Sequence, residues 1–315
     1  MWGEKRFYSL DYFYRRKFGS KVARVALDGG FTCPNRDGTV SFGGCVFCGA
    51  AGSGDFCAEK RSGDFCAEKR LSISEQIDIQ KNVLKNKWKE LKIIPYFQAF
   101  TNTYAPVNIL RNKYEEALNT DDCVGLSVAT RADCLGDDVL DLLEELNERT
   151  FLQVELGLQT VNDATAKNIN RGYSLDVFTN SVLKLQRRGI ETVAHLIVGL
   201  PGETLEDSLN AVRYISEMKI NGVKIQVLYL LRDAPLMEQY VQGKVKFLER
   251  FEYIDIAARM LAYLSPDVVV HRLTGDPPWK SVVEPKWTTD KKQVLNQINQ
   301  YLKMKNLYQG CFYKN

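Results

Sequence analysis

The chain of 315 residues is 45% hydrophobic and 26% charged, with 42 Lys and Arg against 39 Asp and Glu for a formal net charge of +3. That length suits one large α/β domain or two smaller ones, and the near-balanced charge says little about partners. No run of about 18 apolar residues occurs, so no membrane-spanning helix is expected, and the opening "MWGEKRFYSLDYFYRRKF" lacks the apolar core of a signal peptide. A cytoplasmic protein is expected, whose eight cysteines act as ligands, nucleophiles or buried apolar groups rather than disulfide partners.

Residues 1–20 read as a basic, aromatic N-terminal extension. Up to residue 24, Lys5, Arg6, Arg15, Arg16, Lys17, Lys21 and Arg24 are interleaved with Trp2, Phe7, Tyr8, Tyr12, Phe13, Tyr14 and Phe18. Such a mixture either holds phosphates and stacks on unpaired bases or packs as a lid on the following domain. Apolar β-rich runs follow at 21–27, 94–100, 124–128, 150–156, 192–198, 223–228 and 267–271, with the character of strands buried on both faces. Helical periodicities fall between them at 72–92, 107–118, 137–148, 174–188, 204–218 and 251–264. The first opens with Ser72 and Glu75 at capping-box spacing. Its apolar stripe of Ile73, Ile77, Leu84, Trp88 and Leu91 is flanked by Lys81, Lys85, Lys89 and Lys92, a row that agrees with RNA binding.

Strand–helix alternation implies a parallel sheet with right-handed crossovers. The expected architecture is α/β: a partial (β/α)6-type TIM barrel over 21–271, with a C-terminal extension over 272–315 packed on it. An open doubly wound sheet is the alternative. Either way, chemistry belongs at the C-terminal strand ends, which carry a cysteine-rich loop, then "TNTYAP", "ATRADC", "GLQT", "GLPGET" and "LLRDAP". The nonapeptide "SGDFCAEKR" stands twice in tandem, at 53–61 and 62–70, and reads as a loop duplication that carries Cys57 and Cys66 as passengers. The rival reading makes one of them a fourth metal ligand.

The cysteine-rich loop, "FTCPNRDGTVSFGGCVFCGA", spaces Cys33, Cys45 and Cys48 as Cys-x11-Cys-x2-Cys. Zinc needs a fourth ligand, whereas a [4Fe–4S] cluster on three thiolates keeps one iron open for a substrate's amine and carboxylate. Gly29, Gly30, Gly43, Gly44 and Gly49 let the backbone turn closely, and Phe47 is placed to shield the centre from water.

A three-cysteine loop after the first strand of a barrel, ending Cys-x-aromatic-Cys, resembles the radical S-adenosylmethionine (SAM) superfamily. The wider "CPNRDGTVSFGGCVFC", with "FQAFTNTYAP", "VELGLQT", "HRLTGD" and "YQG", resembles short bacterial proteins related to the radical-SAM domain of the Elongator catalytic subunit. The likeness runs from about residue 15 to the C-terminus, and the duplicated nonapeptide departs from the pattern. It implies a [4Fe–4S] cluster on Cys33, Cys45 and Cys48, SAM as cofactor, an external one-electron donor of flavodoxin or ferredoxin type, and a 5′-deoxyadenosyl radical that abstracts a hydrogen atom.

By the same resemblance, Gln159 and Arg171 match the Gln and Arg that bind SAM in the oxygen-independent coproporphyrinogen oxidase branch. Arg171 is then the partner of the methionyl carboxylate, or else a helix C-terminal cation. "HLIVGLPGE" resembles the adenine-binding strand, with His195 where that branch has an acid and Gly199 against the base. Thr101 and Asn102 replace the usual amine-binding residues, and Thr130, Arg131 and Glu155 point to the same mouth. Gln226, Tyr229, Arg232, Arg272 and Asp276 are candidates for substrate contact, and Tyr104, Cys134 and His271 for catalysis, Tyr104 or Cys134 by returning a hydrogen atom. Cys134 and His271 read equally as packing residues, and Cys123 and Cys311 as structural. The expected substrate is tRNA, with remodelling of a carboxymethylaminomethyl-type side chain on C5 of the wobble uridine. The alternatives are radical-SAM chemistry on a small molecule or peptide, and a non-catalytic iron–sulfur or zinc protein.

Overall fold

All seven apolar runs become strands of one parallel sheet in the computed structural model, which describes residues 2–52, 57, 71–85, 88 and 91–314. They are β1 (Val22–Leu27), β2 (Lys92–Phe97), β3 (Gly125–Thr130), β4 (Phe151–Gln159), β5 (Glu191–Val198), β6 (Gly222–Val227) and, after a short β7 (Leu230–Leu231), β8 (Val269–Arg272). The order β1-β2-β3-β4-β5-β6-β8 follows the chain, as successive right-handed crossovers dictate. The sheet curls into a partial barrel rather than a flat doubly wound sheet. Across the gap between its edges, Arg24 Nη1 on β1 stands 3.4 Å from His271 Nδ1 on β8. β3, in mid-sheet, is buried at all six positions.

Helices join the strands. α1 (Leu10–Phe18) precedes β1, and α2 (Ile73–Lys85), α3 (Val107–Leu118), α4 (Asp137–Arg149), a short α5 (Asp163–Asn168), α6 (Leu175–Arg187) and α7 (Leu205–Glu217) lie between β1 and β6. The capping box of α2 is formed as expected: Glu75 N–H donates to Ser72 Oγ at 3.1 Å, and Ser72 N–H to Glu75 Oε2 at 2.7 Å. Its length is not as expected. The described turns of α2 run to Lys85, and Lys92 already starts β2, where Pro95 three residues on excludes helix. The lysine row therefore does not exist as one helical face. Lys81 is buried and binds Asp121 O and Asp122, Lys92 Nζ binds Phe18 O, and Lys89 lies outside the described residues. So does Cys66, while Cys57 is buried.

The N-terminal aromatics form a lid, and they form it at the end of the barrel away from the cysteines. Ser9 caps α1, whose Tyr14 is 2% exposed and donates to Gln153 Oε1 near the start of β4. Phe13, Tyr14 and Phe18 pack on Phe151, and Trp2 stacks on Tyr8 at 5.8 Å. The bases of residues 1–20 are thus separated from the mouth by the length of the strands, about 20 Å at 3.3 Å per residue, whereas Arg24 points into the barrel.

Beyond β6, β7 pairs antiparallel with β9 (Val282–Glu284) to make a small ribbon, joined by α8 (Leu236–Val241) and α9 (Arg250–Tyr263). The C-terminal α10 (Lys291–Met304) buries Val294, Ile298 and Leu302 against the core that α9 also enters. Gln309 then ties both chain ends to the barrel floor: it accepts from Tyr8 N–H and donates to Ser265 O and Val268 O.

Candidate functional site

The loop after β1 turns back across the C-terminal mouth of the barrel. Gly43 (φ 78°) and Gly44 (φ 84°) adopt left-handed conformations that residues with a Cβ avoid. Cys48 N–H closes a turn on Cys45 O at 2.9 Å. The Arg36 guanidinium binds the carbonyls of Cys48, Gly49 and Ala50, and Ala50 N–H in turn donates to Asp233 Oδ2 at 2.7 Å, just after β7. Cys33, Cys45 and Cys48 all line one cleft, with Phe47 and Phe100 beside them. Among the described residues, no three His, Cys, Asp or Glu side chains stand close enough to hold a single metal ion. Burial, the neighbouring Cys48 and the more distant Cys33 push the Cys45 thiol up to about 12, against the pull of Arg131.

The opposite wall of the cleft comes from the ends of β2 to β5. Thr101, Thr130, Arg131, Glu155, Gln159, Arg171 and His195 all line it, as does Tyr173. Gln159 has a left-handed φ of 58°, and with its amide turned so that nitrogen faces them it donates to the carbonyls of Leu158 and Gly157 at 3.2 and 3.1 Å. Arg171 is 1% exposed, and four of its donors are engaged by Tyr173 O, Leu158 O, Thr160 O and Asp163 Oδ1. It shapes the wall instead of offering a carboxylate a two-pronged fork. Arg131 makes that fork with Asp133, at 2.9 and 2.7 Å. Asn102 lies behind Thr101, fully buried, with its Nδ2 on Phe97 O and Ala129 O, and so clips β2 to β3. Thr130 Oγ1 meets Thr103 Oγ1 at 2.5 Å. Gly199 has φ 85°, and the side where a Cβ would stand faces Leu248 at 2.9 Å.

Under the cleft lies a buried ionic cluster. Glu155 is fully buried and accepts from Arg24 Nη2 at 2.5 Å, from His195 Nε2 at 2.8 Å and from Lys224 Nζ. Burial opposes its charge, but Arg24, Lys224 and His195 outweigh burial and hold its carboxyl well below the usual range. Burial and Lys224 push His195 down to about 4, so it is neutral and its Nε2–H is the donor to Glu155. Lys224 Nζ also reaches Tyr96 Oη at 2.9 Å. His271 belongs to this cluster and not to the mouth: its side chain is 0% exposed, and its Nε2 faces Gly222.

Tyr104 and Cys134 line a second cavity, next to the first, whose wall includes Pro34, Thr39 and Thr103. Tyr104 Oη meets Thr39 Oγ1 at 2.9 Å, and burial pushes the Cys134 thiol up to about 12. The residues expected at the substrate are more dispersed. Gln226 is in β6, Tyr229 packs over Gly275, Arg272 ends β8, Asp276 pairs with Lys291 at 2.6 Å, and Arg232 is exposed on the ribbon. Tyr96 and Lys224 escaped the sequence reading and Arg24 was grouped with the N-terminal bases, although a charge with apolar neighbours in "VARVAL" and "VKIQVL" signals a side chain pointing into a barrel. Arg36, Asn35, Phe100 and Tyr173 carried no such signal.

The model of the Radical SAM superfamily matches residues 33–215, and that of the Radical_SAM C-terminal domain matches 220–304. The protein YtqA of Bacillus subtilis (strain 168) is 48% identical over 311 residues, 99% of this chain and 94% of that one. Elongator complex protein 3 of Danio rerio is 29% identical over 170 residues, which is 53% of this chain but only 30% of that protein. In fold, the chain is similar to the archaeal Methanocaldococcus infernus Elp3 with N-terminus deletion (1-46), with a TM-score of 0.67 at 18% identity over 91% of this chain and 64% of that one.

Proposed function

The chain belongs to the radical SAM superfamily, and on that premise we propose that it is a tRNA-modifying enzyme that remodels the C5 side chain of a wobble uridine. The observation that carries the reading is the convergence of Cys33, Cys45 and Cys48 on one cleft at the mouth of the barrel. The donor set fits a [4Fe–4S] cluster: three cysteine sulfurs line one cleft and come from a Cys-x11-Cys-x2-Cys loop. Two buried guanidinium groups, Arg131 and Arg171, offset the negative charge that three thiolates bring. When bound, the reduced cluster and SAM supply a 5′-deoxyadenosyl radical able to take hydrogen from an unactivated C–H bond.

The chain's own residues supply the rest. Phe47 and Phe100 keep water from the thiols. Thr101, Gln159 and His195 line the space beside them, where SAM would lie, and the Glu155 cluster fixes the His195 ring and its tautomer. Tyr104 and Cys134, in the adjoining cavity, are the hydrogen donors at hand for a substrate radical. Burial keeps the Cys134 thiol protonated, which suits a donor of hydrogen and not a nucleophile. The tRNA assignment is supported by the sequence likeness to Elongator complex protein 3. It is also supported by Trp279, which is 72% exposed after β8 with Lys280 Nζ 5.4 Å from its ring and Arg232 N–H bonded to Ser281 O. An exposed ring with a cation beside it suits a base splayed from its stack.

Mass spectrometry of tRNA nucleosides from cells lacking the gene tests this reading. Accumulation of one unfinished wobble uridine is expected. Unchanged tRNA, with 5′-deoxyadenosine still formed from SAM by the reduced protein, would transfer the same chemistry to a small molecule or peptide.

A further inference from the structure

Asn35 stands two residues after Cys33, and its side chain is 0% exposed. Its Nδ2 lies 2.5 Å from the Asn170 carbonyl and 3.5 Å from Cys45 Sγ. A carboxamide nitrogen carries two hydrogens, and here each has one acceptor. The Asn170 carbonyl also decides which end of the amide faces the thiol, since turning it over would press two oxygens together at 2.5 Å.

The amide is held from several sides. Asn35 O accepts from Gly44 N–H at 2.8 Å, and Asn170 Nδ2 returns to Gly44 O at 2.8 Å and Ser41 Oγ at 3.0 Å. Asn35 Oδ1, by contrast, is buried with no hydrogen-bond partner among the described residues. A Cβ on Gly172 would come within 2.8 Å of it, so glycine is needed there. A residue present only to tie the loop together would have its acceptor satisfied, because an unpaired buried acceptor is destabilising. This amide leaves its acceptor unpaired while both its hydrogens are aimed.

We propose that Asn35 is a positioning residue that donates an N–H to the Cys45 sulfur and thereby raises the reduction potential of the cluster. The inference rests on the reading that Cys33, Cys45 and Cys48 hold a [4Fe–4S] cluster. A hydrogen bond to a ligating sulfur draws charge from it and favours the more negative, reduced state.

The test is a potentiometric titration, followed by electron paramagnetic resonance, of the reconstituted wild type, Asn35→Ala and Asn35→Asp without SAM. Loss of the donor is expected to make reduction about tenfold less favourable, which is about 59 mV more negative for a one-electron couple. Asn35→Asp, nearly the same shape but anionic, is expected to shift it further. Clusters that assemble with unchanged potential in both variants would overturn the proposal. Should neither variant assemble a cluster, the wild type decides. With Asn labelled at its amide with 15N, its reduced cluster should show coupling to an exchangeable proton and to that nitrogen, and absence of both refutes the hydrogen bond. A wild type that binds one zinc and no iron would instead overturn the cluster itself.

Discussion

Replacing Glu155 by Gln removes one negative charge from the barrel interior and leaves the volume unchanged. In the wild type the carboxylate holds Arg24 at 2.5 Å and His195 at 2.8 Å, with Lys224 as third donor. At 2.5 Å and an effective dielectric of 20, the Arg24 pair alone has a gross attraction of about 7 kcal/mol. Most of that offsets the desolvation of both charges, and breaking such a pair from one side costs about 3–5 kcal/mol. Glu155→Gln is therefore expected to lose about that much in urea unfolding of the cofactor-free protein at neutral pH. Removing the buried amine left without its carboxylate, in Glu155→Gln/Lys224→Met, should recover part of it. The pH dependence gives a second readout. Burial disfavours the Glu155 charge, but its cationic neighbours prevail and depress its folded pKa below the unfolded value of 4.5. Its contribution is therefore complete above 4.5 and is lost as pH falls towards the folded value. The variant should lack that acid limb. A Glu155→Gln protein within about 1 kcal/mol of wild type, with the acid limb intact, would refute the picture of a charged carboxylate in the barrel.

Tyr14→Ala, which opens the barrel floor, should cost about 3–5 kcal/mol in the same unfolding assay and leave tRNA affinity unchanged at fixed salt; weakened RNA binding would return the N-terminal segment to the RNA face. Burial pushes Glu203 up to about 7, so its contribution to stability is present below the unfolded value of 4.5 and is lost as pH rises through 7. Glu203→Gln, which can still accept from Thr160, should accordingly flatten the fall in urea midpoint between about pH 5 and 8. Cys48→Ala should abolish iron loading, and Cys57→Ala should leave the iron content unchanged on chemical analysis. Trp279→Ala should weaken tRNA binding by about 1–3 kcal/mol in fluorescence anisotropy, with iron content unaltered.

The strands and most of the helices could be read from periodicity because every strand is covered on both faces, which makes its apolar run nearly unbroken. The loops at the mouth followed from strand direction alone. What could not be read was where individual side chains point. His271 sits near the end of β8 just as the pattern suggests, yet its ring turns inward to Gly222. Arg171 is at the mouth as expected, but the backbone carbonyls of Leu158 and Thr160 at the end of β4 take its donors, and no residue pattern announces those. The interleaved bases and aromatics of residues 1–24 fit an RNA surface and a lid equally by composition. Only the packing of Tyr14 and Phe18 on Phe151 separates the two.

The web around the cysteines also sets an order of events in making the protein. Asn35 and Asn170 meet across 135 residues, and Ala50 and Asp233 across 183. A loop shaped by contacts that distant cannot take its form on a chain still emerging from the ribosome, because its partners are synthesised after it. The three thiols are brought to one cleft only after β6 and the ribbon have folded. A cluster inserted into the finished site is therefore expected to meet a folded barrel rather than a nascent peptide.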